Sequence, residues 1–398
     1  MIQRQYPNLF KPVKIRGVWF RNRICSAPNM LSQTDHEGAT SYYVDYLENK
    51  AMGGCAEVVV SEMPVDEYGA HHKSVPLDEY GATIIGEMCA AIQQHGALAC
   101  AEITHAGQLA PPEYNHGNNP IGPCGYIRDD GVEVIEMDEE MMNRVADKFA
   151  QAAIYFKNLG FDMVMVHGGH NWLLSQFLSP HTNHRTDKYG GSVENRMRFP
   201  IMVLERVRAA VGENFPIEFR VSGSDRDDDN SGKPVEDTIE LLKKTEHLID
   251  IVHVSAGMRE SAAHYAVQAT FLPHCTNVHL AEAIKKAGCK QYVTTVGSIS
   301  TPEQAEEIIA SGKADFVAMA RGLIADPQLP NKARCGKSYD IRPCLRCCEC
   351  QDSDETKMVM TCSVNPNIGR EGRAFYRNDA REKLKVVVVG GGPGGMEA

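Results

Sequence analysis

Five cysteines lie within nineteen residues near the end of the chain, and their spacing is the strongest chemical signal in the sequence. Cys344, Cys347 and Cys350 follow a C-x2-C-x2-C pattern, and Cys362 follows after eleven further residues. Three closely spaced thiolates on one loop, with a fourth from the next turn, are typical of a 4Fe-4S cluster. Zinc more often takes two separated C-x2-C pairs. We therefore predict a 4Fe-4S cluster on these four cysteines, with structural zinc and unligated thiols as alternatives. Cys348, beside Cys347, is not expected to bind.

A second chemical signal lies in the last residues of the chain. The apolar run Val386–Val389 predicts a strand, and the pattern Gly390-x-Gly392-x-x-Gly395 follows it directly. This order is typical of the phosphate-cradling turn that opens dinucleotide-binding folds. Because no further strand follows to pair with it, the turn is expected to be frayed or to dock incidentally.

Length and composition describe a globular protein with a large core. The chain has 398 residues, of which 43% are hydrophobic and 23% are charged. A net charge of -11, with no lysine or arginine cluster, argues against nucleic acid and against anionic membranes as partners. The N-terminus lacks the apolar run of a signal peptide, and nowhere do eighteen apolar residues follow one another. We predict a cytoplasmic protein without a membrane segment, and the sequence leaves a homo-oligomer open.

Eight short β-rich runs alternate with helical stretches along the chain. These elements form the framework that positions the chemically active residues. The runs are residues 21–28, 55–63, 97–104, 161–168, 216–223, 250–257, 291–298 and 314–321. Eight β-α alternations with nearly continuous apolar strands predict an α/β fold of the (β/α)8 TIM-barrel type, with an open doubly wound sheet as the alternative. Residues 105–131, rich in Gly, Pro and Asn, are long for a loop, so we predict a substrate-covering insertion there.

Several motifs together resemble one known family. They are HGGHNWLLSQFLSPHTNHRTDKYGGSVENRMRFP (167–200), SAPNM (26–30), ARGLIADP (320–327) and the cysteine run. The sequence is similar to the old yellow enzyme family. More narrowly it resembles the iron-sulfur flavoenzyme branch that includes 2,4-dienoyl-CoA reductase, 2-enoate reductase, bile-acid-modifying reductases and trimethylamine dehydrogenase. The resemblance covers essentially the whole chain and implies FMN in the barrel mouth and hydride transfer.

The resemblance implies which residues hold FMN. Arg220 is expected beside N1 and O2, where the reduced ring gathers negative charge. Glu102 stands where much of the family has a glutamine facing the pyrimidine ring, and the alternative is that it pairs with a nearby basic residue. The phosphate is expected at the loops after strands seven and eight. The other predicted cofactor-binding residues are Ala27, Pro28, Met30, Gly297, Ser298, Arg321 and Gly322.

The predicted catalytic residues follow the fourth and sixth strands. His167 and His170 can point at one carbonyl oxygen and polarise an enone, although metal ligation and loop packing are alternatives. Trp172 occupies the position where the family often has a proton-donating tyrosine, and an indole N–H is too weak an acid for that role. The proton is therefore expected from His264 or Tyr265, or from solvent.

Three functions remain open at this point. The first is a flavin-dependent ene-reductase that receives electrons through a 4Fe-4S cluster and reduces the carbonyl-activated C=C bond of a small molecule. The second is an amine dehydrogenase or demethylase of the trimethylamine dehydrogenase type. The third is a non-redox barrel with a structural metal. Met30 occupies the position at which trimethylamine dehydrogenase has its flavin-tethering cysteine, so any FMN is expected to be dissociable.

The sequence divides into three predicted parts. Residues 1–335 form the FMN-binding barrel, residues 336–380 carry the iron-sulfur cluster, and residues 381–398 begin a dinucleotide-binding domain. The resemblance implies that this last part opens an FAD- and NAD(P)H-binding region. The chain is thus interpreted as the N-terminal portion of a longer electron-transfer enzyme that takes its electrons from NAD(P)H.

Overall fold

A computed structural model describes residues 5–29, 31, 41–72, 74–225, 232–258, 262–357, 360–372 and 385–397. The strands are β1 (Val13–Ile15), β2 (Val18–Phe20), β3 (Ile24–Ser26), β4 (Glu57–Pro64), β5 (Leu98–Thr104), β6 (Ile121–Gly122), β7 (Tyr126–Ile127), β8 (Glu133–Glu136), β9 (Met163–Gly168), β10 (Ile217–Ser222), β11 (Ile251–Ser255), β12 (Tyr292–Val296) and β13 (Phe316–Met319). The helices are α1 (Ser41–Met52), α2 (Glu79–Gln93), α3 (Glu139–Asn158), α4 (Leu173–Leu178), α5 (Val193–Val211), α6 (Val235–Lys244), α7 (Ala263–Ala266), α8 (Val278–Lys286), α9 (Pro302–Ala310), α10 (Arg321–Ala325), α11 (Leu329–Arg334), α12 (Glu349–Lys357) and α13 (Pro393–Glu397).

Eight parallel strands close into a barrel in the order β3, β4, β5, β9, β10, β11, β12 and β13. Closure is made by β13 and β3, where Val317 pairs with Ile24. All eight predicted runs supply a barrel strand, which confirms the (β/α)8 prediction and excludes the open sheet. Both faces of these strands are covered, as the fully buried β9 shows.

Local sequence signals fix the helices around the barrel. Helix α9 begins with a capping box, in which the Thr301 side chain accepts from the backbone of Gln304 and the Gln304 side chain accepts from the Thr301 backbone. Pro302 occupies the first turn, where a backbone N–H would have no partner within the helix. Helix α3 starts after Asp138, whose carboxylate accepts from the Met141 backbone N–H.

The predicted insertion after β5 folds into short elements of its own. Strand β8 pairs with β6 and β7 to make a three-stranded sheet, and two turns of 3-10 helix precede it. Pro111 and Tyr114 from this insertion line the large cavity at the barrel mouth. This position is consistent with a substrate-covering role, which remains a prediction.

The cysteine segment packs on the barrel beside helix α10. Asn365 Nδ2 donates to the Ile324 carbonyl at 2.7 Å, and Arg346 Nη1 donates to the Leu272 carbonyl at 2.6 Å. By contrast, Val386–Val389 is largely exposed and pairs with no strand among the described residues. The expectation of a turn without sheet partners fits this geometry. Within the described ranges, no helix combines the length and apolar composition needed to span a bilayer.

Candidate active site

A cavity of about 640 Å³ opens at the carboxyl ends of the barrel strands. Its wall takes residues from the ends of β4, β9, β10, β11 and β12 and from the loops that follow β3 and β13. This is the face on which parallel barrels place their chemistry. The predicted site residues that line the cavity are Ala27, Pro28, His167, His170, Arg220, Gly297, Ser298, Arg321, Gly322, Cys344 and Cys350.

An ion pair lies behind one side of the cavity. Arg220 Nη1 is 2.6 Å from Glu102 Oε1, and Glu102 Oε2 accepts from the Ser61 hydroxyl at 3.1 Å and from the Glu62 backbone N–H at 3.3 Å. Glu102 is fully buried and does not line the cavity, so the pairing alternative describes its position better than contact with a pyrimidine ring. Among the described residues, the buried Arg220 Nε has no hydrogen-bond partner.

His167, near the end of β9, and His170, just after it, lie close together. Their ring centroids are 5.3 Å apart. His170 has a positive φ of 56°, and its backbone N–H donates to the Ser222 hydroxyl at 2.9 Å. Its Nε2 lies 2.7 Å from the Ser255 hydroxyl. Gly169 is required between them, because a Cβ there would approach the Ser222 backbone nitrogen to 2.8 Å.

The surroundings of the two imidazoles set the protonation of His170 and the hydrogen bonding of His167. Burial first, and then the positive Arg220, lowers the pKa of His170 well below its ordinary value, so this ring is neutral. His167 Nδ1 accepts the Gly169 backbone N–H at 3.3 Å. A neutral His167 ring therefore carries its proton on Nε2 and is a hydrogen-bond donor through that atom.

Three side chains that line the cavity, those of His71, His72 and Ser255, were missed by sequence reasoning. His71 packs edge-on against the Trp172 ring, with centroids 5.2 Å apart, and both residues line the cavity with His72. His72 Nε2 is 2.7 Å from the Glu62 carboxylate. The adjacent histidines just beyond the second barrel strand were a usable signal. Ser255, at the end of β11, was a weaker one.

The predicted proton donors lie outside this wall. His264 is exposed on α7, and Tyr265 is only partly buried. Their neighbours Ala263, Ala266 and Val267 line the cavity instead, so the structure brings neither predicted side chain to it. The physical reason is the short helix α7, which turns its small residues toward the cavity.

The far end of the cavity is formed by the loops after β12 and β13. Gly297 has a φ of 139°, and a Cβ there would meet the Asn277 side chain at 2.8 Å, so only glycine fits. Ser298, Arg321 and Gly322 complete this end. Met30, also predicted to bind the cofactor, lies outside the described residues.

The cysteine cluster borders the cavity directly. Cys344, Cys347, Cys350 and Cys362 line one small crevice together with Cys348. Arg321, Ile324, Cys344 and Cys350 line both the crevice and the large cavity. Arg321 Nη1 donates to Cys348 Sγ at 3.4 Å, and none of the thirteen cysteines forms a disulfide.

The glycine turn near the end of the chain is formed locally. Gly390 has a φ of 118°, and a Cβ on Gly395 would meet the Gly390 carbonyl oxygen at 2.0 Å. Gly392 lies between them on the exposed turn. None of the three lines the cavity, so any nucleotide held by this turn belongs to a separate site.

Comparison with known proteins agrees with this geometry. Residues 8–339 match the family described as the NADH:flavin oxidoreductase / NADH oxidase family. The chain belongs to that family. An NADH oxidase of Thermoanaerobacter brockii is 38% identical over 99% of this chain and 61% of its own length. The structure of a complex of 2-naphthoyl-CoA reductase superposes with a TM-score of 0.91 at 32% identity, covering 98% of this chain and 62% of that one.

Two further relatives have names that correspond to the two enzyme functions considered above, a reductase and an amine-type dehydrogenase. A cinnamate reductase of Clostridium sporogenes is 28% identical over 99% of this chain and 63% of its own length. An N,N-dimethylglycine/sarcosine dehydrogenase of Chromohalobacter salexigens is 32% identical over 98% of this chain and 58% of its own length. The chain thus spans about three fifths of the length of these relatives. The predicted family resemblance is confirmed.

Proposed function

We propose that this chain is the catalytic part of a flavin-dependent ene-reductase that acts on a small molecule with a carbonyl-activated C=C bond. The observation that carries the proposal is the pair His167 and His170 in the wall of a cavity that also contains Arg220. Neutral imidazoles that donate hydrogen bonds stabilise the negative charge that develops on a carbonyl oxygen during reduction. Bound FMN would supply the hydride for that reduction.

The cavity residues fit FMN. Arg220 offers an Nε–H without a partner among the described residues, beside a positive charge suited to an electron-rich ring. At the other end, Arg321 supplies a guanidinium, and Gly297 keeps the backbone free of a side chain, as phosphate binding requires. Glu102 would act through Arg220 by partly balancing its charge. Ala27 and Pro28 would pack beside the ring system.

The four cysteines fit an iron-sulfur cluster better than zinc. Tetrahedral zinc with Zn–S bonds of about 2.3 Å brings its thiolates to within about 4 Å of one another. Among the described residues, no three thiols of the crevice lie mutually within 4.8 Å. Wider spacing suits thiolates that bind separate irons. A cluster held there would adjoin the cavity through Cys344 and Cys350, so electrons could reach FMN over a short distance.

The amine dehydrogenase alternative is supported by the relative from Chromohalobacter salexigens. Amine oxidation develops no negative charge on a substrate oxygen, so it gives the two histidines no role. We therefore favour ene-reduction. We also propose that the glycine turn takes part in binding FAD or NAD(P)H, that the protein is cytoplasmic, and that the chain divides into three parts at residues 335 and 380.

A direct comparison of conjugated carbonyl compounds with tertiary amines as substrates tests the proposed function. The anaerobically purified chain, loaded with FMN and reduced by dithionite, is mixed with a panel of enones and enoates while flavin reoxidation is followed. The oxidised chain is mixed with tertiary amines and an artificial electron acceptor. We expect reoxidation by at least one conjugated carbonyl compound. Amine oxidation without any reoxidation by enones would establish the alternative.

A further inference from the structure

Three barrel strands bring two carboxyl groups and a thiol together in the barrel interior. Glu57 on β4, Cys100 on β5 and Glu218 on β10 place one ligand atom each within 4.8 Å of the others. All three side chains are essentially inaccessible to solvent. None of them lines the active-site cavity or the cysteine crevice. We call these three residues the interior cluster.

Two more donors adjoin the interior cluster. The Cys25 thiol, like that of Cys100, is in hydrogen-bond contact with the Glu57 carboxyl. His253 Nδ1 is 3.1 Å from Glu218 Oε1. The surroundings are otherwise apolar, because Cys25 and Cys100 pack with Met163, Met165, Ile251 and Phe316.

The interior cluster leaves polar atoms without partners. Glu57 Oε1, Glu218 Oε2 and His253 Nε2 are buried and have no hydrogen-bond partner among the described residues. Buried polar atoms in this condition commonly bind a water molecule or an ion. Two carboxyl groups this close do not both ionise unless a cation lies between them, and otherwise they share a proton. The cluster therefore holds either a cation or a shared proton.

We propose that Glu57, Cys100 and Glu218 bind one divalent transition-metal ion, with Cys25 or His253 as the fourth ligand. Carboxylate, thiolate and imidazole are the three ligand types of protein zinc sites, so zinc fits the donor set best. Magnesium and calcium prefer oxygen ligands alone and fit it less well. The ion would replace the thiol proton of Cys100 and any carboxyl proton held between the glutamates, and these protons pass to solvent.

Because the interior cluster is buried, a metal ion there would stabilise the fold rather than take part in catalysis. The ligands come from β4, β5 and β10, so a bound ion would tie together strands distant in sequence. Because the ligands are shielded from solvent, the ion is expected to enter during folding and to resist chelators in the folded protein. Its loss should lower the midpoint of thermal unfolding, since the ion binds only the folded chain.

Metal analysis of the full chain tests the proposal. The chain is purified anaerobically with FMN and its cluster, dialysed against a chelator, and analysed for zinc and iron by mass spectrometry. We expect about one zinc per chain in addition to cluster iron. Glu57→Gln and Cys100→Ser should lower zinc at least tenfold. Cys89→Ser, which changes a buried thiol outside the interior cluster, should retain it, and Cys362→Ser should lose iron while keeping zinc.

Cobalt(II) provides a second measurement that leaves the interior cluster unmodified. The chain refolded with cobalt(II) alone should show thiolate-to-cobalt charge-transfer absorption, which Cys344→Ser, Cys347→Ser, Cys350→Ser and Cys362→Ser combined in one chain should not remove. A folded, flavin-binding chain without zinc or cobalt would overturn the proposal. In that case a protonated carboxyl band in the infrared spectrum, lost in Glu57→Gln, would identify a shared proton instead. Zinc retained in both interior variants would also overturn it.

Discussion

Arg220 and Glu102 form an ion pair of 2.6 Å at the wall of the barrel mouth, with the carboxylate side chain fully buried and the guanidinium partly open to the cavity. The carboxylate also accepts from Ser61 and from the Glu62 backbone, so it is held firmly behind the arginine. With FMN bound as proposed, this arrangement would reduce the positive charge that Arg220 presents to the flavin. The pair would then help to set the flavin reduction potential.

Glu102→Gln should raise the midpoint potential of bound FMN. The substitution keeps the side-chain shape but leaves the Arg220 charge uncompensated, which favours the electron-rich reduced ring. Each tenfold gain in relative binding of the reduced form corresponds to about 30 mV for a two-electron couple. Anaerobic titration against redox dyes measures the midpoint potential of bound FMN. Ser61→Ala removes one hydrogen bond to the same carboxylate without changing charge and should shift the potential less. A lower potential in Glu102→Gln would refute this role.

His167→Ala and His170→Ala should each lower enone reduction by roughly a hundredfold, the scale of losing one transition-state donor. Flavin reduction by dithionite should be unchanged, because it does not use the substrate carbonyl. Stopped-flow reoxidation of the reduced flavin by an enone measures the difference. Ser255→Ala should have a smaller effect, since it removes only the hydroxyl 2.7 Å from His170 Nε2. Full enone turnover in both histidine variants would exclude polarisation of the substrate carbonyl by His167 and His170.

Serine substitution should distinguish the four predicted cluster ligands from the neighbouring Cys348. Serine at position 344, 347, 350 or 362 should bleach the broad cluster absorption and lower iron from about four per chain. Cys348→Ser should keep both, because that thiol contacts Arg321 Nη1 and is not among the predicted ligands. Iron content and visible spectra after anaerobic reconstitution measure the outcome. Zinc in place of iron in the unmodified chain would contradict the prediction.

The barrel could be predicted from the sequence because its strands are continuous apolar runs that end where helical patterns begin. Site residues at the strand ends, such as His167 and Arg220, could be predicted because parallel barrels place their chemistry at the carboxyl ends of the strands, and because of the family resemblance. The ion pair between Arg220 and Glu102 could not be assigned with certainty, because partners across a barrel depend on the stagger between strands that are distant in sequence. Glu57 and Glu218 were missed for a related reason, since a pattern of apolar residues does not show which charged side chain turns inward.

Lys50 should make the stability of the fold depend on pH above neutrality. Its ammonium is buried, lies 2.8 Å from Asn29 Oδ1, and has a pKa lowered by burial from 10.5 to about 7. Between these two values the unfolded chain holds a proton that the folded chain has lost, so the free energy of unfolding rises with pH. The contribution is at most about 1.4 kcal/mol per pH unit.

Urea unfolding of the chain and of Lys50→Met from about pH 7 to about pH 9 measures this dependence. The difference in unfolding free energy between the two proteins should change in favour of the unmodified chain as the pH rises. Lys332→Met is a control, because that ammonium is partly exposed in its ion pair with Asp326. Parallel pH profiles for the unmodified chain and Lys50→Met would show that Lys50 does not titrate in this range.

The substrate proton should come from the side of the cavity occupied by His71. Trp172 lines that side, but its indole N–H is too weak an acid to protonate carbon. His71 packs on the Trp172 ring at 5.2 Å and lines the same cavity, whereas His264 is exposed outside it. Trp172→Phe should therefore keep enone turnover within a few-fold. His71→Gln should lower it by about a hundredfold, the lower end of the range for losing a general acid.

The pH profile distinguishes proton donation from a packing role of His71. A donor must be protonated, so kcat/KM for enone reduction falls at high pH when His71 supplies the proton. His71→Gln should be slow and should lack that fall, and His264→Ala should behave like the unmodified chain. A His71→Gln variant that is slow but keeps the same pH profile would show that the ring only supports Trp172. Full activity in that variant would exclude His71 as the required proton donor.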